Sequence, residues 1–153
     1  MRKHSESRGE YKLTKSLEDY IRAIHILSKR KKVVRVKDIA KLLKVKPSSV
    51  TFSLKRLSEM GLVEYEKRGY VDLTEEGLRI ANRLSTRYRN IELFLEKVLG
   101  LPREIAEIDA CSMEHYLHDE TVDRIKKFVA FIEESPKGAE LIDEFMNYCR
   151  EKK

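Results

Sequence analysis

Apolar positions recur at helical spacing along most of this chain, and polar or turn-forming residues fall in the gaps. Leu17, Tyr20, Ile21, Ile24 and Leu27 trace one face of a helix from Leu17 to about Arg30, with Ser16 as its cap and Glu18 and Asp19 in its first turn. At ~100° per residue, Asp19, Ala23 and Ile26 fall on the other side, giving this helix two buried faces, one bearing a carboxylate. Val36–Leu43 is a short helix with Ile39, Ala40 and Leu43 inward. After the Lys44-Val45-Lys46 turn, Pro47 suits the first turn of a helix over Ser48–Met60, where its missing N–H costs nothing. Val50, Leu54 and Leu57 are its inward stripe, and Gly61 fits just past its end. Leu62–Tyr65 and Tyr70–Leu73 alternate as short strands about a tip at Lys67-Arg68-Gly69.

Thr74 then caps a long helix reaching about Leu99, with Leu84, Tyr88, Ile91, Leu95 and Val98 as its stripe. Gly100 stops it, and Pro102 opens a helix to about His118. Asp119 is placed to cap another to about Glu134, and Ser135-Pro136-Lys137-Gly138 breaks the chain before a last helix, Ala139–Arg150. The predicted fold is mostly α: an N-terminal winged helix-turn-helix domain over 1–73, then an all-helical domain over 74–153 whose first segment, 74–99, links the two.

Composition limits the function classes. Among 153 residues, 38% are charged and 41% apolar, enough for a folded core on an unusually charged chain. No apolar run approaches the ~18 residues of a membrane helix, and no apolar stretch follows the charged start, which argues against a membrane protein or a secreted precursor. Cys111 and Cys149 do not make a disulfide framework. The net charge of +6 is unevenly shared: 1–73 holds 19 Lys/Arg against 9 Asp/Glu, a net of +10, and 74–153 holds 13 against 17, a net of −4. A basic half joined to an acidic half suggests a nucleic-acid-binding part and a separate regulatory or assembly part. Charge alone equally describes a helical protein with solvated surface charge.

Helix, turn, helix and basic hairpin together form the winged helix-turn-helix pattern. With Val50, Leu54 and Leu57 inward, the second helix presents Ser48, Ser49, Thr51, Phe52, Lys55 and Arg56 outward. Hydroxyls at its start reach base edges or phosphates, Phe52 suits a thymine methyl, and Lys55 and Arg56 suit phosphates. Lys67 and Arg68 at the wing tip suit a minor groove or the backbone. Double-stranded operator DNA is the expected partner.

In the acidic half, Ile105, Ile108, Cys111, Glu114 and His115 occupy one predicted helix. Cys111 and His115 continue the isoleucine stripe, with Glu114 between them, so a thiolate, a carboxylate and an imidazole share one face. That set suits a divalent transition metal, and a cation would offset the cost of burying Glu and His. Alone, the pattern also describes a core Cys beside a surface Glu–His pair. Asp19 is a candidate fourth ligand.

The ordered set of Leu17-Glu18-Asp19-Tyr20-Ile21, Asp38-Ile39-Ala40, Pro47-Ser48-Ser49-Val50-Thr51, Gly61-Leu62-Val63, Leu73-Thr74-x-x-Gly77 and Glu114-His115 resembles the diphtheria-toxin-repressor family of iron- and manganese-dependent regulators, over roughly Thr14 to Glu134. The resemblance places Cys111, Glu114 and His115 on the family's ligands in the dimerisation domain and Asp19 on the ligand from the first helix. Cys at the first position resembles the iron branch, and Asp at the last resembles the manganese branch, so the implied cofactor is Fe(II) or Mn(II). Tyr88 stands where the family usually has a His ligand, Glu107 where the iron branch has another His, and Arg22 where the manganese branch has a carboxylate. Glu92 is retained at a second-site position, which leaves Glu92 and Glu107 as candidates for a rearranged second site. The C-terminal SH3-like domain of the iron branch has no counterpart before Lys153.

The resemblance thus implies a cytoplasmic homodimeric repressor of metal-homeostasis genes in which metal joins the two domains and fixes the spacing of two recognition helices. A winged-helix regulator that senses a small organic ligand without metal is the alternative. Enzymatic activity is not expected, because the chain shows no separate general base, nucleophile or substrate pocket. Cys149 has no assigned role.

Overall fold

A computed structural model describes residues 13–66 and 69–152. The wing-tip residues Lys67 and Arg68 lie outside the described residues. The chain divides into two compact units, Met1–Leu78 and Arg79–Lys153.

In the first unit, Thr14 rather than Ser16 caps α1 (Lys15–Ser28): its Oγ1 accepts the Leu17 N–H at 3.3 Å. Leu17, Tyr20, Ile21, Ala23, Ile24 and Leu27 are buried, while Asp19 and Ile26 are half-buried. In the first turn of α2 (Val36–Leu43), the Asp38 carboxylate accepts the Arg35 N–H at 3.1 Å and pairs with Lys31 at 2.5 Å. The Lys31 hydrogen bond holds Asp38 below the ordinary carboxylate range. α3 (Pro47–Glu59) buries Val50, Leu54 and Leu57 completely, and Gly61 turns the chain away at φ +71°.

The wing strands β2 (Val63–Tyr65) and β3 (Tyr70–Leu73) pair antiparallel, with Val63 opposite Leu73. β1 (Val34–Arg35) adds a third strand on the far side of β3, in the order β1-β3-β2. The sequence pattern misses β1 because two residues are too few to alternate. The end of the wing is tied to the next helix through Thr74, whose hydroxyl donates to Gly61 O at 2.7 Å and accepts from the Gly77 N–H at 3.1 Å. Gly77 must lack a side chain, since a Cβ there would meet Leu62 O at 2.0 Å.

The second unit is helical. α4 (Glu75–Leu93) runs into a π-helical turn, Phe94–Val98, instead of continuing as an α-helix to Leu99. Gly100, at φ +66°, reverses the chain into α5 (Arg103–Met113), followed by α6 (Asp119–Glu134) and α7 (Gly138–Glu151). Ile91, Leu95, Ala106, Ala110 and Val122 form the core, with Tyr88, Met113 and Leu117 against it. Two expectations are corrected here. α5 ends at Met113, not His118: beyond it the chain tightens into a turn in which the Tyr116 N–H donates to Met113 O three residues back. Asp119 is the first residue of α6 rather than its cap, a place taken by His118.

α5 is also rotated relative to the predicted stripe. Its buried side is Ala106 and Ala110, continued by Glu114, whereas Ile105 and Ile108 are 47% and 68% exposed. Small alanines allow α5 to approach Ile91 and Leu95 closely, which bulkier isoleucines would prevent. Phe128, Phe131, Leu141, Phe145 and Tyr148 leave further apolar surface exposed.

His25 is buried in α1, and neither ring nitrogen has a hydrogen-bond partner among the described residues. Burial, aided by Lys29, lowers its pKa, so the unfolded chain binds this proton more tightly than the folded one. The stability associated with neutral His25 is complete above about pH 6.5 and declines as pH falls through that range. Asp38 titrates below this window. We expect hydrogen exchange at the α1 amides to accelerate from pH 7.5 to 5.5, after correction for intrinsic rates, and His25→Leu to remove most of that acceleration.

Candidate metal centre and DNA-reading face

The outward side of α3 carries the residues read as its DNA contacts. Ser48, Ser49, Phe52, Lys55 and Arg56 are exposed, and Phe52, at 65%, is unusually so for a large apolar side chain. Thr51 is half-buried, and its hydroxyl donates to Pro47 O at 3.1 Å. The sequence reading overlooked Ser53, which is buried on the flank of the same helix. Lys44 begins the turn before α3 in a left-handed conformation, φ 55°, which lets α2 and α3 meet over a short connection.

At the end of α5, Glu114 is the last residue of helical geometry and its carboxylate is sealed from solvent. The Nε2 of His115 lies 3.4 Å from Glu114 Oε1, with the imidazole only 2% exposed. A carboxylate shut away from water demands a positive charge nearby. A protonated imidazole would meet that demand, and so would a divalent cation bound by both side chains. Cys111 lies one turn earlier and is exposed. Among the described residues no three His, Cys, Asp or Glu side chains gather at metal-holding distances. The structure therefore brings together two of the sequence-derived ligands, Glu114 and His115. The thiol of Cys111 lies outside that grouping, and Asp19 belongs to the other unit. The donor chemistry fits a divalent transition metal: a buried carboxylate beside an imidazole, with a thiol one turn away.

Arg87 of α4 organises the turn that carries this pair. Its Nε donates to Glu114 O at 2.7 Å, and its two terminal nitrogens grip Leu117 O and the Asp119 carboxylate. A guanidinium fork that holds three acceptors fixes their geometry as well as their charge. Sequence reasoning missed Arg87 because its partners lie far along the chain and no local pattern marks it.

The other candidate positions are otherwise engaged. Glu92 is buried and paired with Arg89, and Glu107 is paired with Arg103 at 2.7 Å. Tyr88 packs against the apolar core, which explains a large ring at that point better than a ligand would. A second site built on Glu92 and Glu107 would require both to exchange an arginine for a metal.

Loss of the Arg87 fork should loosen the turn that positions Glu114 and His115. We expect Arg87→Met to weaken Co(II) or Mn(II) binding by about ten-fold, as removal of groups that orient ligands commonly does. Titration calorimetry on the folded variant measures it.

Comparison with known proteins matches both halves of the chain. The iron-dependent repressor N-terminal DNA-binding domain matches residues 12–71, and the iron-dependent repressor metal-binding and dimerisation domain matches 74–148. An uncharacterised HTH-type transcriptional regulator of Methanocaldococcus jannaschii is 36% identical over 118 residues, covering 76% of this chain and 94% of that protein. The HTH-type transcriptional regulator MntR of Bacillus subtilis is 39% identical over 121 residues, covering 79% and 84%. A solved manganese-dependent transcriptional repressor in complex with manganese superimposes with a TM-score of 0.69 at 30% identity. That match covers 75% of this chain, which spans about half, 53%, of the solved one. With both domain models matched in order across nearly its whole length, the chain belongs to the diphtheria-toxin-repressor family, the iron- and manganese-dependent DNA-binding transcriptional repressors.

Proposed function

We propose that this repressor acts as a homodimer in the cytoplasm, on operators of metal-homeostasis genes, and that Cys111, Glu114, His115 and Asp19 form its activating metal site. The observation that carries the ligand set is the sealed Glu114 carboxylate beside His115. Bound Fe(II) or Mn(II) would supply the positive charge that lets these donors share one point. Arg87 holds the Glu114–His115 turn in place, and Cys111 is exposed one turn earlier on α5. Asp19, half-buried on α1, brings a carboxylate from the DNA-binding unit. A ligand set drawn from both units makes metal occupancy and domain arrangement one equilibrium, and so links metal binding reciprocally to DNA binding.

Exposed Ile105, Ile108, Phe128 and Phe131 supply apolar surface of the kind a dimer buries, within the region matched by the dimerisation-domain model. Two copies would present two α3 helices to major grooves about one helical turn, ~34 Å, apart. Among the described residues no helix is long and apolar enough to cross a membrane.

Anisotropy titrations on a duplex selected from a random pool by the Mn(II)-loaded protein test this reading, run anaerobically with Fe(II), Mn(II), Co(II) and Zn(II). We expect wild-type binding to require metal. We expect Asp19→Ala to fold normally yet lose metal-dependent binding; a full metal response would overturn the shared-ligand model. Lys55→Ala should weaken duplex binding several-fold and leave metal affinity unchanged. Unchanged duplex binding would overturn the assignment of α3.

A further inference from the structure

In the DNA-binding unit, a cavity of about 460 Å³ opens between the first turn of α1 and the first turns of α3. Hydroxyls dominate its lining: Thr14, Ser16 and Tyr20 from the α1 side, and Ser48, Ser49 and Ser53 from α3. Among the described residues that line it, Arg56 carries the one charge and none is acidic. First-turn residues of both helices line it, Ser16 and Leu17 of α1 and Ser48 and Ser49 of α3, where backbone dipoles favour an anion. No side chain caps α3, and Pro47 contributes no N–H in its first turn.

Two of the hydroxyl residues are more than nine-tenths buried: Tyr20 is 5% exposed and Ser53 8%. Neither hydroxyl bonds to any other described residue. Two largely buried side chains whose hydroxyls have no partner among the described residues, lining one cavity, leave donors available to a ligand that accepts hydrogen bonds. Hydroxyl donors, first-turn residues of two helices and one arginine, with no carboxylate among the described residues of the lining, are the chemistry that receives a phosphate. Ser48, Ser49, Phe52 and Arg56 also belong to the DNA-reading face, so the cavity adjoins the path of the DNA backbone.

We propose that this hydroxyl-lined cavity seats one phosphate group of the operator backbone, with Tyr20 and Ser53 donating to its oxygens and Arg56 balancing its charge. The proposal rests on the DNA-binding reading of α3 and adds to it residues of α1, the helix that bears Asp19. Such a contact positions the protein without reading sequence.

The test uses the full chain with Mn(II), the selected duplex, a random-sequence duplex, and copies of the selected duplex carrying single neutral methylphosphonates. We expect the Tyr20→Phe, Ser53→Ala double variant to bind both unmodified duplexes about ten-fold more weakly. Its salt dependence should match that of the wild type, because no cation is removed. Tyr20→Phe alone keeps the ring that packs in the core and should show part of the loss. One methylphosphonate in each half-site should weaken the wild type about ten-fold and the double variant less than about two-fold. Wild-type-like binding by the double variant, or equal sensitivity of both proteins at every methylphosphonate, would overturn the proposal. So would saturation of the metal-free protein by inorganic phosphate below about 1 mM, read from amide shifts at Ser16, Ser48 and Ser53, if operator DNA did not displace it. A wild type that fails to bind any duplex with metal present would instead defeat the reading of α3 on which this one stands.

Discussion

Glu114 sets the terms for the second unit. Its carboxylate is closed off from water at the C-terminal end of α5, where the helix's own unpaired carbonyls already make the potential negative. Such a group stays ionised only if the surroundings return positive charge. Arg87 provides part of this through the Glu114 carbonyl, and the His115 ring lies against the acid itself. Ala106 and Ala110 make room by letting α5 approach the core closely, and Tyr88 fills space beside them. The unit holds an acid rigid beside an imidazole, a pairing suited to a cation.

The first unit handles the opposite charge. Residues 1–73 carry a net of +10, most densely at Lys29, Arg30, Lys31, Lys32 and Arg35 before α2, and hydroxyl groups at the starts of α1 and α3 add to what suits an anion. α1 occupies an unusual place in this scheme. Tyr20 faces the proposed phosphate seat, and its neighbour Asp19 is the proposed metal ligand. Two adjacent residues on one rigid helix would then answer to the two ligands that a metal-dependent repressor must couple, with no need for a long relay between them.

Much of the first unit was legible in the sequence. Val50, Leu54 and Leu57 fall on a clean helical period, Pro47 and Gly61 mark the helix ends, and Thr74 bridges the wing to α4 as a local polar residue can. The second unit was less legible for identifiable reasons. The pattern took Ile105 and Ile108 as core because they are the larger apolar residues, but closeness of approach decided the packing and put Ala106 and Ala110 inside. Arg87 joins positions far apart in the chain, so no window of sequence displays its role. Of the candidate metal ligands, the resemblance placed four; the structure joins Glu114 to His115 and leaves Cys111 on the exposed side.

The π-helical turn at Phe94–Val98 carries a lesson about register. Such a turn is one residue inserted into an α-helix, and it displaces every later side chain by about 100° around the axis. Glu92 lies just before the insertion, while Leu95 and Val98 turn their side chains to the core within it. A relative whose helix ran on regularly would differ here by a single-residue gap, and an ungapped alignment would mispair the two stripes. Ile91 before the insertion and Leu95 within it still share one core with α5 and α6, so the helix takes up the extra residue without giving up its buried stripe.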